Sequence, residues 1–193
     1  MKHFLMFPAC LLLLACIGLY LYNVIKKGVT PNPTNFFVRS VVAIINVFTY
    51  FKVAHGNFYV TSMTIVSAIG LLAVFGYAKW KSKFCAMSKL DYLSCIIAMI
   101  TCVIWKLTNG VVANYVLQII MFLAFLPAIT AVLDGRAKEK ALPWLFATAG
   151  YVLMSIVIIG TYGIDYGKLI HPLISGVAGN GLLALSIIYK KRK

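Results

Sequence analysis

Acidic residues are scarce in this chain. Its 193 residues include eighteen lysines and arginines but four carboxylate side chains. The four are Asp91, Asp134, Glu139 and Asp165. None stands near the middle of a long apolar segment, so the carboxylate relay that membrane pumps commonly use has no candidate residue.

The residues of enzyme chemistry are missing as well. No nucleophile–histidine–acid set, no metal-binding cluster and no glycine-rich phosphate loop occurs in the sequence. The five cysteines show no paired spacing and mostly fall inside apolar runs, which favours buried thiols over disulfides. The sequence therefore predicts no enzyme, no cofactor and no metal site.

Apolar residues, in contrast, are abundant: 62% of the chain is hydrophobic and the mean hydropathy is +0.94. Soluble domains average about 45–50% apolar residues. The net charge of +14 would suggest nucleic acid in a soluble protein. Here the basic residues lie between apolar runs, so we predict a membrane protein that binds no nucleic acid.

Seven apolar segments have the length of about 17–25 residues that a membrane helix needs. We number them spans 1 to 7, and they cover residues 4–25, 35–53, 58–78, 88–105, 111–133, 142–161 and 168–189. The prediction is an all-α, multi-pass protein of the cell membrane, in contact with lipid. A monomer is compatible with the sequence, which does not fix the oligomeric state.

The basic residues are distributed unequally between the two ends of the spans. One end carries Lys2, Lys52, Lys106 and Lys168, and the other carries the remaining fourteen. The positive-inside rule then predicts the amino terminus outside and the carboxy terminus inside. The start "MKHFLMFPACLLLLAC" also resembles a lipoprotein signal peptide, but its removal would reverse this charge bias.

An internal repeat relates the two parts of the chain. "YNVIKKGVTPNPTNFFVRSVVAIINVF" and "TAVLDGRAKEKALPWLFATAGYVLMSI" both read as a helix end, a basic loop with glycine, a proline and an aromatic-led helix. Pro33 then aligns with Pro143. We predict two parallel three-helix bundles joined by a linker helix (3+1+3). Their ranges are 1–78, 79–110 for the linker and its loops, and 111–193.

Prolines mark the expected bending points. Proline fixes φ and lacks a backbone N–H, so it suits a first helical turn and interrupts a helix interior. Pro33 and Pro143 stand where spans 2 and 6 begin, and Pro127 stands inside span 5. We predict that these three residues act as hinges.

Several motifs carry a family resemblance. "GNGLLALSIIYKKRK" in span 7, "VSAIGLLAVFGYAKW" in span 3 and the proline-bearing loops resemble the SWEET and PQ-loop group of membrane proteins. That group includes cystinosin-like transporters and the KDEL receptor. The loop "TPNPT", with Leu90-Asp91-Tyr92 and Trp105-Lys106-Leu107-Thr108-Asn109, is closer to an uncharacterised bacterial subgroup. The chain departs from the family pattern in having no Pro-Gln pair, and in Ser67 where asparagine is usual.

The resemblance implies a carrier of small polar solutes that works by alternating access, in a bacterial inner membrane. The missing mid-membrane carboxylate favours facilitated exchange over proton-driven transport. The alternative is a receptor or partner subunit on the same fold, as the KDEL receptor illustrates.

Polar residues inside spans are the candidates for solute binding, because hydrocarbon offers them no hydrogen-bond partner. The candidates are Asn180, Ser67, Asn46, Tyr50, Asn114, Gln118 and Tyr151. Asn180 leads because it stands midway along span 7 and the resemblance also marks it, and Ser67 is its counterpart in the repeat. Asn46, Asn114 and Gln118 have an alternative role, which is simply to join helices.

Other polar residues have structural interpretations. We expect Asp91 to cap the start of span 4, where a carboxylate meets the positive end of the helix dipole. Arg39, near the start of span 2, is expected to extend its charge to the membrane surface as a structural anchor, and the alternative is a residue that holds the substrate. His171 is expected to be a surface or gating residue. Ser175 and Gly179 are expected to pack against a neighbouring helix.

Overall fold

The computed structural model describes residues 5–108 and 110–192. Those residues contain no β-strand and seven helices long and apolar enough to cross a membrane. The helices are Met6–Lys26, Pro33–Val53, Phe58–Trp80, Lys89–Leu107, Val112–Leu133, Ala141–Tyr162 and Tyr166–Arg192. The all-helical, seven-span prediction is confirmed, and the observed limits lie within three residues of the predicted ones. Asn109, which ends the motif in span 4, lies outside the described residues.

Span 5 consists of two helices, Gly110–Leu123 and Phe125–Leu133, which are separated at Ala124. The sequence explains the interruption, because Pro127 has no N–H to donate to the carbonyl of Leu123 four residues earlier. Pro127 therefore lies at a real break in span 5.

Span 7 has three parts: Tyr166–Ile170, a π-helical segment His171–Gly179, and Asn180–Arg192. Pro172 cannot donate to the carbonyl of Lys168, and the hydroxyl of Tyr50 in span 2 donates to that carbonyl instead, at 2.8 Å. π-Helical segments are rare and frequently accompany functional sites. Span 7 thus widens where it passes the centre of the molecule.

The "TPNPT" corner is anchored by hydrogen bonds on both of its sides. Pro33 is the first residue of span 2, and the Asn32 side chain accepts from the backbone N–H of Asn35 at 2.8 Å. The Asn32 amide also donates to Asp91 Oδ1 at 2.7 Å. Asp91 accepts from the N–H of Ser88 at 2.7 Å, so the predicted cap of span 4 is confirmed.

The loops 27–32, 81–88 and 134–140 lie together at what we call the basic end. Thr30 and Lys138 bond in both directions: the N–H of Thr30 donates to the Lys138 carbonyl at 3.0 Å, and the N–H of Lys138 donates to Thr30 Oγ1 at 2.9 Å. These bonds tie the loop before span 2 to the loop before span 6.

The helices pack in a regular pattern. Span 3 contacts spans 1 and 2, and span 7 contacts spans 5 and 6. Span 1 packs along span 6, while span 2 packs along span 5. Span 4 contacts spans 2 and 5. It is the most peripheral of the seven, because it has the smallest share of buried residues. Helices from both parts of the chain therefore border the interior between spans 1, 2, 3, 6 and 7.

Candidate functional site

A cavity lies between spans 1, 2, 3, 6 and 7. Three of the predicted solute-binding residues, Asn180, Ser67 and Tyr151, line it. Its volume is about 40 Å³. A few waters or a small solute fit such a space. The remaining lining is mainly apolar and aromatic.

Arg39 contributes the only charged side chain among the residues that line this cavity. It is 4% exposed, and its guanidinium carbon lies 4.0 Å from the centre of the Phe125 ring and 5.8 Å from that of Trp144. Nε and Nη1 have no hydrogen-bond partner among the described residues. The prediction that Arg39 reaches the membrane surface is wrong, because the side chain turns inward and its charge lies against these aromatic rings.

An aromatic cluster closes the cavity toward the basic end. Tyr20, Phe36 and Trp144 have ring centres 5.1–6.2 Å apart. Tyr20 donates its hydroxyl proton to Glu139 Oε1 at 2.5 Å, and Trp144 Nε1 donates to Glu139 Oε2 at 3.3 Å. Burial raises the pKa of the Glu139 carboxyl to about 8. A carboxyl that is largely protonated at neutral pH therefore joins span 1 to the start of span 6.

Asn180 and the π-helical segment form another part of the wall. Asn180 is 1% exposed, and its amide donates to the Gly176 carbonyl at 2.6 Å. Gly176 lies directly against Tyr151, since a Cβ atom added there would stand 2.3 Å from Tyr151 Cγ. The widened helix thus places Asn180 and Tyr151 at the same cavity.

A second polar cluster is centred on Gln118 of span 5. Gln118 Nε2 donates to Asn46 Oδ1 at 2.7 Å and to Asn114 Oδ1 at 3.2 Å. Gln118 Oε1 accepts from Ser175 Oγ at 2.7 Å and lies 2.9 Å from His171 Nδ1. We call these five residues the Gln118 network. It joins spans 2, 5 and 7.

His171 lies inside this network and is 1% exposed, so the prediction of a surface histidine is wrong. The π-helical segment turns its ring inward, between Tyr50 and Tyr151, with ring centres 5.2 and 5.6 Å away. Tyr151 therefore contacts the Gln118 network on one side and lines the cavity on the other. This ring connects the two polar regions of the interior.

The structure therefore divides the predicted site residues into two groups. Asn180, Ser67 and Tyr151 line the cavity, whereas Asn46, Asn114 and Gln118 satisfy one another across helices and Tyr50 bonds the Lys168 carbonyl. This second placement matches the alternative interpretation, in which the amides join helices.

Three residues of the cavity region were not among the predicted site residues: Arg39, Trp144 and Glu139. The sequence could have indicated Arg39 as a site residue. It is an arginine inside an apolar span, and the chain has so few acidic residues that few ion-pair partners are possible. Trp144 and Glu139 stand at the edge of span 6, and nothing in the sequence indicates that they fold inward.

Comparisons with known proteins give no relative on which to base a function. No family model matches the chain. No curated protein and no solved structure matches it either. The likeness to the SWEET and PQ-loop group therefore remains one of short motifs, and the function must be argued from the cavity itself.

Proposed function

We propose that this protein is a membrane carrier for small polar solutes that works by alternating access and facilitated exchange. The observation that carries the proposal is the interhelical cavity, whose wall contains Arg39, Ser67, Tyr151 and Asn180. Polar and charged groups are costly inside a membrane protein and generally mark the path of a solute or ion.

We further propose that spans 1–3 and 5–7 form two parallel three-helix bundles, with span 4 as the linker (3+1+3). The packing supports this, because span 3 contacts spans 1 and 2 as span 7 contacts spans 5 and 6. The contact of span 1 with span 6 is matched by that of span 5 with span 2. Gly28 and Gly135 also take left-handed φ values of 66° and 83° in the corresponding loops.

The charge distribution supports an orientation with the basic end inside the cell, since lysine and arginine accumulate on the cytoplasmic side of membrane proteins. In this orientation the amino terminus is outside and the carboxy terminus inside. A bacterial inner membrane is proposed from the resemblance alone.

Closure of both ends supports alternating access. At the basic end, Glu139 joins Tyr20 to Trp144. At the opposite end, Tyr50 bonds the Lys168 carbonyl and the amide of Asn57 donates to the Tyr162 hydroxyl. We expect these two sets of contacts to open in turn, so that a solute enters the cavity from one side and leaves on the other. Repeat-built carriers typically alternate in this way around a fixed central site.

The bending points lie where such movement requires them. Pro33 and Pro143 fall in the first turns of spans 2 and 6, next to the paired loops of the basic end. Pro127 follows the break in span 5. Hinges at these prolines would let the basic end separate while the helices keep their internal hydrogen bonds.

A reversible lock tests the carrier proposal. Thr30→Cys with Lys138→Cys places two thiols where the two loops are already joined, by one backbone hydrogen bond and one to the Thr30 hydroxyl. After reconstitution in liposomes, oxidation is expected to stop solute exchange and reduction to restore it, with each single variant as control. A disulfide that forms but leaves exchange unchanged contradicts alternating access at this end. Binding without any exchange would support the receptor or partner-subunit alternative.

A proton gradient tests the facilitated mechanism separately. We expect the solute to equilibrate across the liposome membrane and not to accumulate when one side is acidified. Accumulation against its own gradient would overturn facilitated exchange, and Glu139, which bonds two cavity residues, would then be the first group to replace.

A further inference from the structure

Arg39 has no acidic partner, and the chain has no spare acid to supply one. Asp91 and Asp134 both pair with Arg136, at 3.6 and 3.4 Å, and Asp165 pairs with Lys168. The fourth acid, Glu139, bonds Tyr20 and Trp144. It forms no ion pair with Arg39 among the described residues, and burial raises its pKa to about 8, which disfavours the charged form.

A buried cation without a counter-charge is expensive. The effective penalty for burying an unpaired ion is several kcal/mol. The ring of Phe125, 4.0 Å from the guanidinium carbon, offsets about 2 kcal/mol of this in a desolvated site. Aromatic contact also leaves the N–H donors in the guanidinium plane unsatisfied, and two of the nitrogens, Nε and Nη1, have no acceptor among the described residues.

The surroundings of the guanidinium define which ligand would fit. The cavity contains no carboxylate, and much of its wall is aliphatic, from Leu13, Ile17, Leu71 and Val74. Ser67 and Asn180 add neutral polar groups to the lining. An oxyanion would accept the free N–H donors of Arg39, and a short apolar body would contact the aliphatic wall.

We propose that this cavity is a binding site for a small organic oxyanion, whose carboxylate or phosphate group pairs with Arg39. If the protein is a carrier, as proposed above, the oxyanion is the solute that it transports. Only this identification of the solute rests on the carrier proposal. The binding site itself does not depend on transport, so the two proposals fail separately.

Matched pairs of probes test the charge requirement. The purified protein is titrated with propionate and propionamide, with benzoate and benzamide, and with inorganic phosphate. Binding is measured by the change in melting temperature and by the change in tryptophan fluorescence, because Trp144 lines the cavity. We expect an oxyanion to raise the melting temperature and its neutral amide to have no effect. Phosphate against the carboxylates distinguishes the two kinds of oxyanion.

Two substitutions test the residue. Arg39→Gln is expected to weaken binding of the responding oxyanion by at least about tenfold, which corresponds to about 1.4 kcal/mol. Arg192→Gln, which removes an exposed guanidinium at the end of span 7, is expected to leave it unchanged. If Arg39→Gln does not fold, Arg39→Lys keeps the charge and loses the planar donor set, so weaker binding is still expected.

Several results would overturn the oxyanion site. They are equal stabilisation by acid and amide, full binding by Arg39→Gln, and no stabilisation by any oxyanion at tens of millimolar. If the protein exchanges a neutral solute at the same rate with and without Arg39→Gln, the oxyanion proposal is wrong and the carrier proposal stands. If an oxyanion binds but is not exchanged in liposomes, the binding-site proposal stands and the carrier proposal is wrong.

Discussion

Spans 1–3 and spans 5–7 follow the same order along the chain but differ in the continuity of their helices. Spans 1 and 3 are unbroken helices of 21 and 23 residues. Spans 5 and 7, their counterparts in the proposed repeat, are interrupted at Ala124 and by the π-helical segment His171–Gly179. We call the two sets the first and second halves of the molecule.

Proline explains the difference between the halves. Pro127 and Pro172 each remove one backbone donor inside a helix. In the proposed repeat, whose alignment has a gap of three residues in the loop before span 2, Pro127 corresponds to Tyr20 of span 1, which keeps its N–H. Each missing bond leaves a carbonyl free, and in span 7 Tyr50 from the first half takes it. The first half is built as a continuous support, and the second half holds the irregular backbone next to the cavity and the Gln118 network.

The largest expected effect comes from a substitution in the second half, at a glycine that lies directly against an aromatic ring. Gly176→Ala places a Cβ atom 2.3 Å from Tyr151 Cγ, so the ring or the π-helical segment must move. We expect the free energy of unfolding to fall by about 3 kcal/mol. Gly76→Ala in span 3 of the first half meets no atom within 4 Å and is expected to be neutral or slightly stabilising. Denaturation in detergent measures both, and similar values for the two variants would contradict the comparison.

The next effect removes the centre of the Gln118 network. Gln118→Ala leaves Asn46, Asn114, Ser175 and His171 without their shared partner, and we expect a loss of about 1–2 kcal/mol of stability.

The matched control is Leu11→Ala in span 1, because Leu11 corresponds to Gln118 in the proposed repeat and is 47% exposed. It is expected to cost less than about 1 kcal/mol. Oxyanion binding should survive Gln118→Ala, and its loss in a folded variant would place this network in the binding site instead.

A third prediction concerns pH and the contact between the halves. The folded Glu139 carboxyl keeps its proton up to about pH 8, whereas the ordinary glutamate pKa is 4.5. The stabilisation from this group is complete below pH 4.5 and is lost as pH rises to 8, because the unfolded chain ionises first. Since part of the side chain is exposed, we expect a loss of roughly 1–2 kcal/mol across this range.

Glu139→Gln is expected to reduce this decline, so melting temperatures from pH 5 to 8.5 provide the test. Tyr20 and Trp144 donate hydrogen bonds to the Glu139 carboxyl. Glu139 also lines a surface cleft together with Lys138, Lys190 and Lys191. Asp134→Asn, at a more exposed carboxyl in the same loop, is the control and should leave the decline unchanged. A decline that persists in full after Glu139→Gln would assign it to another group.

The smallest effect on stability sharpens the comparison directly. Pro127→Ala restores a donor for the Leu123 carbonyl and makes span 5 resemble the continuous span 1. We expect a gain of up to about 1 kcal/mol, slower amide exchange around Ala124 and slower solute exchange.

Pro33→Ala, in a first turn where no helical N–H bond is made, is the matched control and should leave amide exchange near Ala124 unchanged. If Pro127→Ala does not slow amide exchange there, the missing donor is not the cause of the break.

The spans were predictable because their signal is local. Length and apolar composition alone fix seven segments, and the cap at Asp91 follows from its position in the first turn of span 4. The break near Pro127 was also marked in the sequence, since a proline inside a helix has a definite local consequence.

The site was less predictable because it depends on which helices meet. Spacing along span 2 places Asn46 and Tyr50 on one face, but their partners come from spans 5 and 7. Arg39 lies near the start of its span, as surface-directed arginines commonly do. Its inward direction depends on Phe125 and Trp144, which are 86 and 105 residues further along the chain.

The paired loops of the basic end also set an order of assembly during synthesis. The hydrogen bond from Asn32 to Asp91 can form once the start of span 4 has been synthesised. The bonds of Thr30 to Lys138 and of Tyr20 to Glu139 can form only after the loop that follows span 5 has been synthesised. Domains made first generally fold first. We therefore expect span 4 to pack on the first half while the interior groups of that half, Arg39 among them, are still exposed. The second half covers them only after it has been translated.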